Sequence, residues 1–305
     1  MRPLHGILLK VASVLVFVTM ASLIKATDGR VPPGEVVFFR SLFAVPIIVA
    51  WLAWRRELST GFRAVEPLAH LWRGFVGTAA MGLGFAGLMF LPLTEVKAIG
   101  YAAPLLTVVF AAMFLGEQVR LFRITAVGVG MVGVLIVLAP RLTVGAGMSD
   151  TQALGAMLVL GSAVFAALAQ VFVRRLVQTE STSAIVFWFS LTATALSLIT
   201  LPFGWVVPGP GDAMLLILAG LLGGVGQVLL TSSYRHADAS VIAPFEYVSM
   251  LFALGIGFWI FDEVPTLPML GGAALVVAAG VMIIWRERQL GLERSRQRKV
   301  MTPQG

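Results

Sequence analysis

The chain has 305 residues, of which 58% are apolar (AVILMFWYC) and only 12% charged, and its mean hydropathy is +0.94. A soluble domain carries about 25% charged residues, so this composition excludes a water-facing globular protein and leaves no room for a soluble module between the apolar runs. The net charge of +7 does not point to nucleic acid, because the basic residues lie in short loops and one tail, and the absence of cysteine excludes disulfides and thiolate metal sites.

A helix crosses the roughly 30 Å hydrocarbon core with about 20 apolar residues. Breaking the apolar runs at charges and at Gly/Pro clusters gives ten predicted spans, near 5–26, 34–54, 71–91, 94–115, 121–139, 153–174, 183–205, 213–234, 239–261 and 267–285. The first run lacks the small-residue cleavage pattern of a signal peptide and reads as a retained helix. Span two carries Arg40. The turn at Pro92 sets spans three and four as an antiparallel hairpin, and span four carries Lys97, Tyr101 and Pro104 and ends at Glu117. Span five is rich in glycine, with Gly128, Gly130 and Gly133, and so is span eight, with Gly220, Gly223, Gly224 and Gly226. Span nine carries Pro244, Glu246, Tyr247 and Ser249 and ends at Glu263, and span ten carries Gly271, Gly272 and Gly280. Residues 286–305 form a basic cytoplasmic tail, read as an anchor on anionic lipid with protein docking as the alternative.

Lys and Arg near span ends stay cytoplasmic. With the N-terminus inside, 17 of the 22 basic residues, Lys10 and Arg73 among them, fall on the inner side. Only Lys25, Arg30 and Arg141 fall outside, while Arg40 and Lys97 lie within spans. Both termini are therefore expected inside. Trp51, Trp54, Trp72 and Trp285 at inner span ends, with Trp205 and Trp259 at outer ones, match the headgroup level that amphipathic rings prefer.

An offset of 146 places Glu117 on Glu263 and Tyr101 on Tyr247, and Gly6–Ser13 resembles Gly155–Ser162. The repeating unit is five spans. An odd number of spans makes the second copy enter the membrane from the opposite side, so the expected fold is an all-α polytopic membrane protein of ten transmembrane helices in two inverted five-helix repeats, 1–139 and 153–285. Inverted repeats point to alternating access around a midplane site.

Several stretches in order carry a family resemblance: Glu35-Val-Val-Phe-Phe-Arg-Ser-Leu-Phe-Ala44, Ala103-Pro-Leu-Leu leading into Phe114-Leu-Gly-Glu117, the glycine-rich run Ala126–Leu135, and Ile242-Ala-Pro-Phe-Glu-Tyr-Val248. The chain resembles the EamA-domain branch of the drug/metabolite transporter superfamily over nearly its whole length. The resemblance implies a ten-helix secondary transporter or facilitator with a central cavity lined chiefly by spans one, three, four, six, eight and nine. The proline that the family places before the loop glutamate is Pro104 in the first half. Met250 stands there in the second, with Pro244 as the substitute bend.

Ionisable groups within a span cost about 2.5–3.5 kcal/mol on insertion scales and are functional candidates by default. Lys97 has a stem long enough to snorkel outward, whereas Glu246, roughly 10 Å into span nine, is too short to escape and must find a partner or a proton. A direct Lys97–Glu246 pair is not expected, because undistorted helices leave about 15 Å of depth between them. Arg40 reads as a structural anchor to carbonyls or headgroups at the periphery. Glu117 and Glu263 read as caps for backbone donors at the starts of spans five and ten. His5, His70 and His236 read as interfacial. In the cavity-lining spans implied by the resemblance, Thr19, Met20, Tyr101, Gln170, Gln227, Tyr247 and Ser249 offer hydrogen bonds and adaptable apolar surface. The glycines of spans five and ten read as close-packing surfaces, within the chain or in a homo-oligomer.

No nucleophile elbow, metalloprotease helix, Walker loop or metal-ligand cluster occurs, so neither an enzyme, a cofactor, a metal site nor an ATP-driven pump is expected. The expected substrate is a small amphipathic metabolite, foremost a neutral, hydrophobic or aromatic amino acid carried outward. Uptake of riboflavin or an S-adenosylmethionine-like compound is the alternative, and a non-transporting scaffold the remote one. Phosphorylated sugars are not expected, because burying them requires clustered basic side chains and Lys97 is the one read as well inside the membrane.

Overall fold

A computed structural model describes residues 3–58, 61–115, 121–142, 150–177, 179–236, 245–246 and 248–301. Among them every regular element is helical: α1 (Pro3–Lys25), α2 (Pro33–Leu42), α3 (Ala44–Trp54), α4 (Pro67–Phe90), α5 (Leu93–Gly100), α6 (Ala102–Leu115), α7 (Leu121–Leu142), α8 (Asp150–Leu176), α9 (Thr182–Ser197) with a 3₁₀ extension (Leu198–Phe203), α10 (Pro210–His236), α11 (Val248–Phe261) and α12 (Leu267–Met301). Six stretches are long and apolar enough to cross a membrane: Leu4–Lys25, Pro33–Trp54, Pro67–Phe90, Thr151–Val173, Thr182–Phe203 and Pro210–Ser233. Gly128–Val137, Val248–Phe261 and Leu267–Ala279 are shorter apolar helices. The chain is a multi-pass membrane protein.

Local chemistry sets the helix starts. Proline opens α2 and α4, where its missing N–H costs nothing, and Ser181 caps α9 by accepting from Ala184 N at 3.1 Å. Two predicted spans are broken. Span two divides at Phe43 into α2 and α3, and span four divides at Tyr101 into α5 and α6. Pro104 explains the second break, since it has no N–H to give the Gly100 carbonyl and its ring crowds that turn. The basic segment predicted as a tail continues α12 as helix as far as Met301.

The main helix pairs are α1 with α10, α4 with α8 and α7 with α12. Around them α4 packs on α9, α2 and α3 on α10, α2 on α9, α5 on α11, α6 on α8 and α1 on α11. The predicted hairpin of spans three and four keeps its tight turn but not its packing, because α4 spends its length against α8 and α9. Gly133 and Gly272 face one another, so that a Cβ on either would lie 2.5–2.7 Å from the other's carbonyl oxygen; this glycine contact of spans five and ten is made within the chain. Gly220 and Gly224 likewise admit the α2–α3 backbone at Phe39 and Ala44.

Among the described residues three carboxylates satisfy backbone donors outside the helical ladder, two of them at helix starts. Glu35 accepts from Val206 N at 3.0 Å, Glu180 from Val65 N and Glu66 N at 2.7 Å each, and Glu263 from Leu93 N at 2.9 and 3.1 Å. Each joins one half of the chain to the other, where an unpaired N–H near hydrocarbon would cost several kcal/mol. Glu263 therefore caps α5 and not the start of span ten as its position in the chain implied, because the fold brings the α4–α5 turn beneath it. Glu117 lies outside the described residues.

Candidate functional site

Glu246 lies in a short 3₁₀ turn just before α11, and its partner is Lys10 of α1: Lys10 Nζ donates to Glu246 Oε2. The Lys10 side chain is buried and that of Glu246 is 42% exposed, so the pair sits at the edge of an accessible space. Lys10 therefore belongs inside the bundle and not to the inner loops where its position near the N-terminus placed it. Lys97 of α5 is half-buried and lies within electrostatic reach of both Glu246 and Lys10. Among the described residues no hydrogen bond or ion pair joins it to Glu246. The break at Tyr101 removes the uninterrupted helix on which a wide separation in depth was reckoned. Two lysines facing one glutamate carry a formal charge of +1 when all three are ionised.

The break in span four lies against the same region. Tyr101 Oη and Ser249 Oγ are 2.6 Å apart, both side chains almost fully buried. Two predicted candidates from opposite halves thus meet directly. Met20 is buried on α1 beside Gly223 of α10. Thr19 Oγ1 returns its hydrogen bond to Leu15 O at 2.9 Å, and the Gln227 backbone carbonyl accepts from Thr231 Oγ1 at 2.7 Å. Gln170 is exposed on α8 and joins none of these groups. Tyr247 and Pro244 lie outside the described residues.

At the other end of α1, Lys25 donates to Leu91 O at 2.9 Å and lies 3.3 Å from Glu263 Oε1. Beside it a cavity of about 470 Å³ is lined by residues 24–30, Phe85, Leu88, Met89, Ile260 and Phe261. At the α4 end, His70 is buried with Nε2 3.1 Å from Glu180 Oε1, and so is not an interfacial side chain. Burial pushes the Glu180 carboxyl up, but the N–H donors of Glu66 and Val65, together with His70, more than offset this and hold it below its ordinary value.

Arg40 is also displaced from its predicted role. It is 3% exposed, covered by α4, α9 and α10, and lies over the Phe189 ring rather than at a lipid-facing carbonyl or headgroup. Arg73, counted among the inner loop residues, is buried against the same ring. Lys97 is thus one of several basic groups inside the bundle. Lys10 and Arg73 were missed because both stand near the inner end of a run, where charge is read as topology. By the bounds of the folded helices each lies six or more residues in, but the predicted span starting at 71 put Arg73 only two residues deep, so for it the sequence offered no depth signal.

A sequence profile of the EamA-like transporter family matches residues 4–139 and 153–285. The pseudopaline exporter of Pseudomonas aeruginosa is 30% identical over 282 residues, 91% of this chain and 95% of its own. The S-adenosylmethionine uptake transporter of Rickettsia bellii is 26% identical over 87% of this chain and 88% of its own. A solved crystal structure aligns with a TM-score of 0.67 at 21% identity, covering 95% of this chain and 99% of that one, which speaks for the fold. With two family matches spanning nearly the whole length, the chain belongs to the EamA-like transporter family.

Proposed function

We propose that the protein is a secondary transporter that exports small amphipathic metabolites with an amino-acid-like head, foremost neutral, hydrophobic or aromatic amino acids, by alternating access in the cell inner membrane. The observation that carries this reading is the Lys10–Glu246 pair with Lys97 beside it. This centre of small net positive charge suits a carboxylate, while Glu246 offers an ammonium group its counter-charge, so a zwitterionic head is complemented without fixed charge left over. Met20, Tyr101 and Ser249, with Thr19, Gln227 and Tyr247 on the same spans, supply the surface for an apolar body. Gln170, exposed and apart from the centre, is assigned to binding by sequence position alone.

The ten-span, two-repeat inverted arrangement with both termini cytoplasmic is part of the proposal. It is supported by a packing pattern that survives exchange of the halves: α1 on α10 becomes α8 on α4, α4 on α9 becomes α10 on α2 and α3, while α7 with α12 and α5 with α11 map onto themselves. Glu35 and Glu180, 145 residues apart, each accept from backbone N–H groups of the other half. Pro104 and Pro244 bend the two midplane helices in this reading, and Glu117 repeats the cap made by Glu263. A homo-oligomer through spans five and ten would use the outward faces at Gly128 and Gly271, where a Cβ would meet nothing within 4 Å.

Uptake of an S-adenosylmethionine-like compound is the second reading, favoured by the Rickettsia relatives. Phosphorylated sugars stay outside the proposal because Glu246 neutralises Lys10, leaving a single uncompensated lysine at the centre. Flux of a labelled amino-acid panel, riboflavin and S-adenosylmethionine into proteoliposomes tests the choice. Saturable counterflow of a hydrophobic amino acid is expected, and its absence alongside robust exchange of a hexose phosphate overturns the reading.

A further inference from the structure

Away from the lysine centre, two more cations are buried side by side. Arg40 of α2 and Arg73 of α4 are 3% and 9% exposed, and their guanidinium carbons lie 5.6 and 4.0 Å from the centre of the Phe189 ring on α9. Nε and Nη1 of both arginines are buried without a hydrogen-bond partner. The hydroxyls of Ser41 and Ser190, each next in sequence to one of these contacts, are buried and unpartnered as well. Glu35, one turn along α2, is occupied with Val206 N.

Glycine lets the two arginines approach their neighbours this closely. A Cβ on Gly77 would lie 2.1 Å from Arg73 Nη1 and 2.7 Å from Phe189 Cε2, and a Cβ on Gly223 would lie 3.1 Å from Arg40 Nε. Two like charges withdrawn from water are costly, and a cation–π contact returns only part of that cost. Arginine cannot shed the cost by losing its proton. What would complete the arrangement is an anion able to accept from the unpartnered nitrogens of both guanidinium groups.

We propose that Arg40 and Arg73 form a binding site for a small oxyanion, a carboxylate or an inorganic phosphate-like group, separate from the Lys10–Glu246–Lys97 centre. The forked, planar donors of arginine fit two oxygens of one such group, which a pair of lysines would not do. The site does not depend on which metabolite is carried. It borders the carrier's interior through Met20, whose sulfur shares the Gly223 niche with Arg40.

The test needs no flux. Purified full-length protein is melted in detergent at constant ionic strength while chloride is replaced stepwise by acetate or by phosphate. A saturable rise of the melting temperature is expected in the wild type and in Lys97→Gln, and its loss in Arg40→Gln and Arg73→Gln. If a Gln variant does not fold, Arg40→Lys and Arg73→Lys keep the charge without the fork, and a several-fold higher anion midpoint is expected. A hydrophobic amino acid acting at lower concentration than acetate, with its amide inert, assigns the oxyanion to the carried metabolite; equal potency assigns it to a free ion, and either supports the site. No saturable rise in the wild type, or an unchanged midpoint in the arginine variants, overturns the proposal while leaving the transport reading intact.

Discussion

Tyr101 Oη and Ser249 Oγ, 2.6 Å apart and buried, join the break in span four to the first turn of α11, and so tie the two halves together there. Tyr101→Phe keeps the ring in its cluster with Ile99, Leu105 and Met250 but removes the hydroxyl. A loss of about 1 kcal/mol is expected for this change and for Ser249→Ala. In a double-mutant cycle read by chemical unfolding in detergent, the double variant should lose less than the sum of the singles. Strict additivity would mean that the bond contributes nothing.

Glu246→Gln leaves Lys10 buried beside a neutral amide. Transport is expected to fall several-fold or more. The stability loss should stay below the roughly 3–5 kcal/mol of a fully buried pair, because the glutamate side chain is 42% exposed. Adding Lys10→Met should recover part of the stability and none of the flux. Wild-type flux in a well-expressed Glu246→Gln variant would confine the pair to a structural role.

Acid should act on Glu180. Its carboxyl lies below its ordinary value of 4.5, so the caps on Val65 and Glu66 contribute in full above that pH and are lost as the pH falls through the lowered value. Thermal unfolding of the wild type should weaken progressively as the pH falls below 4.5. Glu180→Gln should melt lower at neutral pH and respond less in that window. Parallel profiles for the two proteins would place the acid sensitivity elsewhere.

The basic-residue asymmetry predicts sidedness. A cysteine at Val207, which is exposed in the connection before α10, should react in intact cells with an impermeant thiol reagent. One at Arg63, exposed in the connection before α4, should react only after the membrane is opened. The opposite pattern would invert the topology and, with it, the assignment of Lys25 and Glu263 to the outer end.

Residue order alone determined the membrane class and the apolar runs, because these depend on composition and on position along the chain. It also singled out Glu246, Lys97, Tyr101 and Ser249, since a polar group deep in a span has few cheap explanations. What it assigned poorly were partners. Lys10, Arg73 and His70 were read from their distance to a span end, and Arg40 from the periphery of its span, yet each is buried by helices distant in sequence. Position along a helix supplies a depth but not a rotation. Which face meets a neighbour depends on packing that glycines such as Gly77, Gly223 and Gly133 permit and on the helix breaks at Phe43 and Tyr101. Only the tertiary structure decided that Glu246 answers Lys10, that Glu263 caps α5 and that two arginines share one ring, because hydrogen bonds and ion pairs act over a few ångströms between side chains whose approach the fold sets.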